Sequence, residues 1–172
     1  MRLFLFLLLS LPGVSVSAGA QQAVPGAVAD VLLNSDWMYY EVASMLPEEL
    51  EQDVPIRVNL PHSWNTFDAT DDSPGYRRDA SWYRKQLTFD REAGQYRHFL
   101  YFEGANMRAE VYVTGQHAGG HVGGYLGFEI EITDLIDFTG INDIAVRVDN
   151  SVDRSLIPSQ KADFVLFGGL TR

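Results

Sequence analysis

The sequence predicts an all-β sandwich, and three observations carry that prediction. Apolar residues alternate with polar ones at a period of two in successive short segments. Glycine-containing polar stretches separate those segments. Only one short stretch, residues 46–52, carries a helical signal.

Taken in chain order, the first twenty residues read as an export signal. Arg2 supplies the positive end, residues 3–11 are apolar except Ser10, and residues 18–20 form an Ala-Gly-Ala cleavage site. Pro12 and Gly13 interrupt the apolar run well short of the about 20 residues a spanning helix needs. Residues 21–32 read as a flexible lead-in, and the folded domain is expected over 33–172.

The strand candidates follow. Ile56, Val58 and Leu60 alternate with Arg57 and Asn59. Tyr83, Leu87 and Phe89 share a face opposite Arg84, Gln86 and Thr88. Val111 and Val113, then Phe128, Ile130 and Ile132, then Ile144, Val146 and Val148 repeat the pattern. Side chains of a strand project to opposite faces, so each segment has one buried and one wetter side. Residues 98–102, HFLYF, are apolar on both faces, as in a central strand. Thr114 and Gly115 signal a tight turn, and residues 91–95 and 137–142 signal two more. In the single helical stretch, Pro47 sits in the first turn with Glu48 and Glu49 at the positive end of the dipole; its length suits a surface insertion.

Composition narrows the function. The chain has no cysteine, so burial alone must stabilise the fold, and its formal net charge is −10. That charge, with no Lys/Arg run, argues against a nucleic-acid partner and leaves neutral ligands such as sugars unaffected. Export, the lack of cysteine and the lack of an Asn-x-Ser/Thr site fit a bacterial periplasm or exterior, with no membrane span after signal cleavage.

A succession of local motifs is more specific: VNLPHSWN over 58–65, YRR over 76–78, WYRK over 82–85, FEGA over 102–105, VYVTG over 111–115, HVGGY over 121–125, VDNS over 148–151, DF at 163–164 and FGGLTR over 167–172. In this order they resemble the N-terminal sugar-binding domain of family 2 glycoside hydrolases, closest to the β-galactosidase-like members. The resemblance implies a jelly-roll sandwich of the galactose-binding-domain type. In that family the domain packs on an immunoglobulin-like domain and a catalytic TIM barrel that holds both catalytic glutamates. Neither further domain is found in these 172 residues, which therefore read as a fragment with no catalytic residue of its own. By the resemblance Asp163 contacts the bound sugar, and in some members it also helps hold a monovalent cation. The expected partners are a β-galactoside-like carbohydrate and the barrel of the parent enzyme, and no cofactor is expected beyond a monovalent or divalent cation there. The alternative is a self-standing secreted lectin-like module without catalysis.

Other residues carry blander expectations. His117 and His121 lie four apart, a metal-ligand spacing on a helix, but the surrounding glycines argue against a helix and for a structural His121. His62 is expected to fix its loop by a hydrogen bond. Asp68, Asp71 and Asp72 read as a solvated loop and not a calcium site. Trp82 and Tyr83 are expected in the core, whereas Trp64 is open between sugar stacking, core and domain contact. Glu129 and Glu131 have a separation that glycosidases use, yet simple alternation makes them an exposed polar face.

Overall fold

The computed structural model of the chain describes residues 2–7, 28–68, 70, 75–156 and 165–171. Thirteen strands run in chain order: β1 (Arg2–Leu7), β2 (Val28–Leu32), β3 (Trp37–Tyr40), β4 (Ile56–Val58), β5 (His62–Ser63), β6 (Ala80–Leu87), β7 (Tyr96–Phe102), β8 (Ala105–Asn106), β9 (Arg108–Val113), β10 (Gln116–Val122), β11 (Phe128–Glu131), β12 (Asn142–Asp149) and β13 (Gly169–Leu170). They form a six-stranded sheet ordered β10-β9-β12-β6-β3-β4, a four-stranded sheet ordered β11-β7-β1-β2, and a small sheet ordered β5-β13-β8. All pairings are antiparallel, and the architecture is the all-β jelly roll.

The period-two pattern sets the core. Ile144, Val146 and Val148 on β12, Val111 and Val113 on β9, and Tyr83 on β6 are almost wholly buried against Leu100 and Phe102 on β7. β7 lies between β11 and β1, and His98, Phe99 and Leu100, which point to alternate faces, are all buried, as its two-faced apolarity predicts. Phe102 stacks on Phe128 at 4.8 Å, and His121 stacks on the same Phe128 at 4.2 Å. His121 is thus a packing residue, while His117 bonds Glu110 at 2.7 Å. Both histidines lie on β10, where four residues span about 13 Å.

Turn chemistry follows the sequence. Thr114 (φ +48°) and Gly115 (φ +79°) form the β9–β10 hairpin turn, both in the left-handed region that primed turns require. Asn142 closes the turn before β12 by accepting from the Asp137 backbone N–H and donating to its carbonyl, each at 2.8 Å.

Several expectations need correction. The stretch at 46–52 is a 3₁₀ helix, Pro47–Gln52, and it is more than a surface insertion. Its Leu50 is fully buried with Tyr40, Trp82 and Ala145 in a second cluster on the outer face of the six-stranded sheet. The Trp82 indole and the Arg147 guanidinium both donate to the Ser44 carbonyl and tie the preceding loop down. Trp82 is therefore core, but in this outer cluster and not between the sheets. Ile56 is 59% exposed on β4, a three-residue strand at the edge of the six-stranded sheet. Within the lead-in, residues 28–32 form β2, which pairs with β1 (Arg2–Leu7).

Candidate functional site

The motif residues that show no periodicity converge at one end of the sandwich, around β5, β8 and β13. Asn65 and Asn150 are both fully buried there. The Asn65 amide donates to the carbonyls of Arg77 (3.2 Å) and Leu166 (3.1 Å), and its oxygen accepts from the Gly168 N–H (3.0 Å). Asn150 donates to the same two carbonyls and accepts from the Asp79 N–H (2.9 Å). A buried peptide group needs a partner, and these two amides supply them for a segment with little regular structure. Gly168 also receives the Ser63 hydroxyl on its carbonyl at 2.9 Å. A side chain at Gly168 would overlap the Trp64 indole, so the VNLPHSWN and FGGLTR motifs are two halves of one packing unit.

Aromatic and cationic groups support this unit from beneath. His62 Nδ1 lies 2.8 Å from the Tyr83 hydroxyl, and burial lowers the His62 pKa, favouring the neutral ring. The expected loop-fixing bond of His62 is thus to a core tyrosine. Arg77 donates to the Ser81 hydroxyl (2.8 Å) and the Ala80 carbonyl (2.6 Å), and it lies over Trp64 at 5.2 Å. Trp64, left open by the sequence, is half-buried between Arg77 and Gly168.

Beside this unit opens a cleft of about 430 Å³ lined by Glu103, Asn106, Tyr125, Val165, Phe167 and Thr171. Its walls come from the HVGGY turn and from the 165–171 segment. Asn106 joins them: it pairs with Gly169 in the β8–β13 ladder, and its amide donates to the Phe167 carbonyl at 2.8 Å. Tyr125 and Phe167 are 57% and 42% exposed and line the same cleft. Apolar ring faces beside a carboxylate, a hydroxyl and an amide suit a molecule with both C–H and hydroxyl surfaces.

Asp163, the residue the resemblance singles out, lies outside the described residues, as do Asp71 and Asp72. Asp68 accepts from the Arg77 N–H at 2.7 Å. Glu131 receives two bonds from Arg97, at 2.6 and 2.9 Å, and this guanidinium holds its carboxyl below the usual range. A carboxylate so held is unsuited to act as a general acid, and both Glu129 and Glu131 lie on the exposed phase of β11, as the alternation predicts. Among the described residues no three of His, Cys, Asp and Glu gather as metal ligands, and no helix is long and apolar enough to cross a membrane.

Asn65, Asn106 and Asn150 received no role from sequence reasoning. The available signal was an amide close to a strand end, where a buried polar side chain must find backbone partners.

Carbohydrate-binding sandwiches are one class that combines a jelly roll with an aromatic-walled, polar-rimmed cleft. The chain is a member of glycosyl hydrolases family 2: the model of that family's sugar-binding domain matches residues 20–172. It is 51% identical over 141 residues to a protein of Formosa agariphila provisionally assigned as a β-glucuronidase, covering 81% of this chain and 17% of that protein. It is 36% identical over 169 residues to a β-glucuronidase of Bacteroides fragilis, covering 98% and 22%. A crystal structure of a provisional β-galactosidase from Bacteroides fragilis superposes with a TM-score of 0.76 at 32% identity, covering 83% and 22%. The chain thus spans only about a fifth of the length of these relatives.

Proposed function

We propose that this chain is the sugar-binding domain of an exported family 2 β-glycosidase and that its end cleft forms one wall of the substrate pocket. Asp163 is the direct sugar contact in this reading, and Tyr125 and Phe167 are the apolar walls. One residue, Phe164, separates Asp163 from Val165 of the cleft lining in sequence, at most about 7 Å of extended chain. A carboxylate within that reach can accept two charge-assisted bonds from adjacent sugar hydroxyls. Turnover belongs to a catalytic barrel elsewhere in the longer polypeptide.

The observation that carries the proposal is the family match over 20–172, with relatives named as β-glucuronidases and β-galactosidases. The substrate is accordingly a β-linked hexoside, galactoside or glucuronide. The test begins with the DNA downstream of the Arg172 codon. An open frame continuing into a barrel should give a polypeptide that cleaves one of the two nitrophenyl glycosides. Asp163→Ala should then lower kcat/KM about a hundredfold, the loss of two charged hydrogen bonds. A stop codon in correctly assembled sequence, or unchanged kcat/KM in the variant, would contradict the proposal. In the first case galactoside binding by the chain alone would support the lectin-like reading instead.

A further inference from the structure

The two edges of β7 have neighbours of different kinds. β11 pairs with one edge, from Phe102 to Phe99. Residues 2–7 pair with the other, from Tyr101 to Tyr96, and carry β2 on their far side. Those residues lie within the segment whose positive end, apolar run and Ala-Gly-Ala stop read as an export signal. Cleavage after Ala20 takes them out of the sheet. β7 and β2 then stand two strand spacings apart, about 10 Å, with a gap one strand wide between them. The edge left open belongs to a strand whose His98, Leu100 and Phe102 are almost wholly buried. A row of unpaired N–H and C=O groups along such a strand is a template for another strand, and native proteins cover it.

The course of the chain beyond the cleft wall points to the strand that covers it. β13 runs antiparallel to β8, with Gly169 opposite Asn106 and Leu170 opposite Ala105. The ladder goes one step further, because the Thr171 N–H donates to the Gly104 carbonyl at 3.1 Å. Each step from 169 to 171 thus moves one residue back toward β7, which ends at Phe102. Polypeptide leaving Thr171 on this course meets β7 at its Phe102 end and runs antiparallel toward Tyr96. Residues 2–7 run in the same direction, entering opposite Tyr101 and leaving opposite Tyr96. β11 holds the opposite edge, so an incoming strand can take only the edge that residues 2–7 occupy.

We infer that in the exported protein the gap between β7 and β2 is filled by the polypeptide directly following Arg172, in place of residues 2–7. The inference rests on the proposed function, in which this domain opens a longer polypeptide. The new strand is about as long as the six residues of β1. Lying between two neighbours over the core, it is rich in β-branched and aromatic residues and has no proline in its middle. The 165–171 wall of the sugar cleft then runs directly into a core strand, which fixes it from its far end as the β8–β13 ladder fixes it from within.

These 172 residues contain no cysteine, so an introduced pair reads cleanly. Arg97 on β7 is exposed and lies about seven residues before Gly104, so its partner falls about seven residues after Thr171. The experiment places cysteine at Arg97 and, one at a time, at the fourth to eighth positions after Arg172 in the complete exported polypeptide. Disulfides are mapped by mass spectrometry after oxidation. One position is expected to crosslink within the molecule, since directly opposed strand residues have the Cα separation a disulfide needs and their neighbours point to the other face. Cysteine at Arg57, on β4 in the other sheet, is expected to crosslink with none of them, and the mature N-terminus is expected at Gln21. Melting temperatures matching the parent ensure that each variant is read as a folded protein. Folded variants with no crosslink, crosslinks only between two molecules, or an N-terminus that retains residues 2–7 would overturn the inference. The proposed function stands in those cases if the polypeptide still hydrolyses a nitrophenyl glycoside. A stop codon after Arg172 would instead contradict the proposed function and remove the incoming strand with it.

Discussion

Asn65, like Asn150, makes three bonds to irregular backbone: it donates to the carbonyls of Arg77 and Leu166 and accepts from the Gly168 N–H, without exposure to water. Replacing it strands these groups, and a stranded buried group costs about 1–3 kcal/mol. Asn65→Ala should therefore lower unfolding free energy in urea by about 3 kcal/mol, and a loss under about 1 kcal/mol would mean the bonds are replaced by water. His98 carries a second prediction. It is 1% exposed and packed edge-on to Phe89, and burial lowers its pKa, as it does for His62. A histidine whose folded pKa lies below its unfolded value near 6.5 contributes stability above that pH and loses it as pH falls toward the folded pKa. The melting temperature should decline from pH 7 to pH 5, and His98→Phe should flatten that decline. An unchanged slope in the variant would show that His98 is not the group titrating. His98 was read within the two-faced central strand, but Asn65 sat in a quoted motif without a role, because which carbonyl an amide meets depends on a segment a hundred residues away.

The elements show where alternation suffices and where it fails. β7, β9 and β12 were readable because they are central strands whose apolar side can face only one core. β4 obeys the same alternation, yet Ile56 is exposed, since period two gives a face but not what covers it. The 3₁₀ helix Pro47–Gln52 fails the other way. A six-residue stretch with three glutamates reads as surface, but its one leucine fills a pocket formed by Trp82, Tyr40 and Ala145. Sequence reasoning had no means to see this second cluster, because its other members sit on the polar phase of their strands. Leu50→Ala should cost about 2–5 kcal/mol in thermal or urea unfolding, as for other buried leucines. A cost below about 1 kcal/mol would return the helix to the status of a surface insertion.

At the scale of the molecule, the two-layer fold and family were legible from motif order, and the cleft was not. Its parts are the HVGGY turn, β8 and the 165–171 segment, three regions without periodicity, and they meet through the β8–β13 ladder, the Asn106 bond to Phe167 and the Gly123 N–H bond to the Met107 carbonyl. The cleft is one-sided, with apolar walls and few polar groups, so the chain alone should hold a monosaccharide glycoside weakly and the complete enzyme more tightly. The measurement that bears most directly on the sugar-binding role is a titration of the full chain with methyl β-galactoside and methyl β-glucuronide, followed by backbone amide shifts in heteronuclear NMR. Millimolar binding should move amides at 103–106, 123–126 and 165–171, and it should disappear in Asp163→Ala and Phe167→Ala while the melting temperature holds. Shifts confined to other surfaces, or binding that survives both substitutions, would contradict the assignment of the cleft as the sugar site.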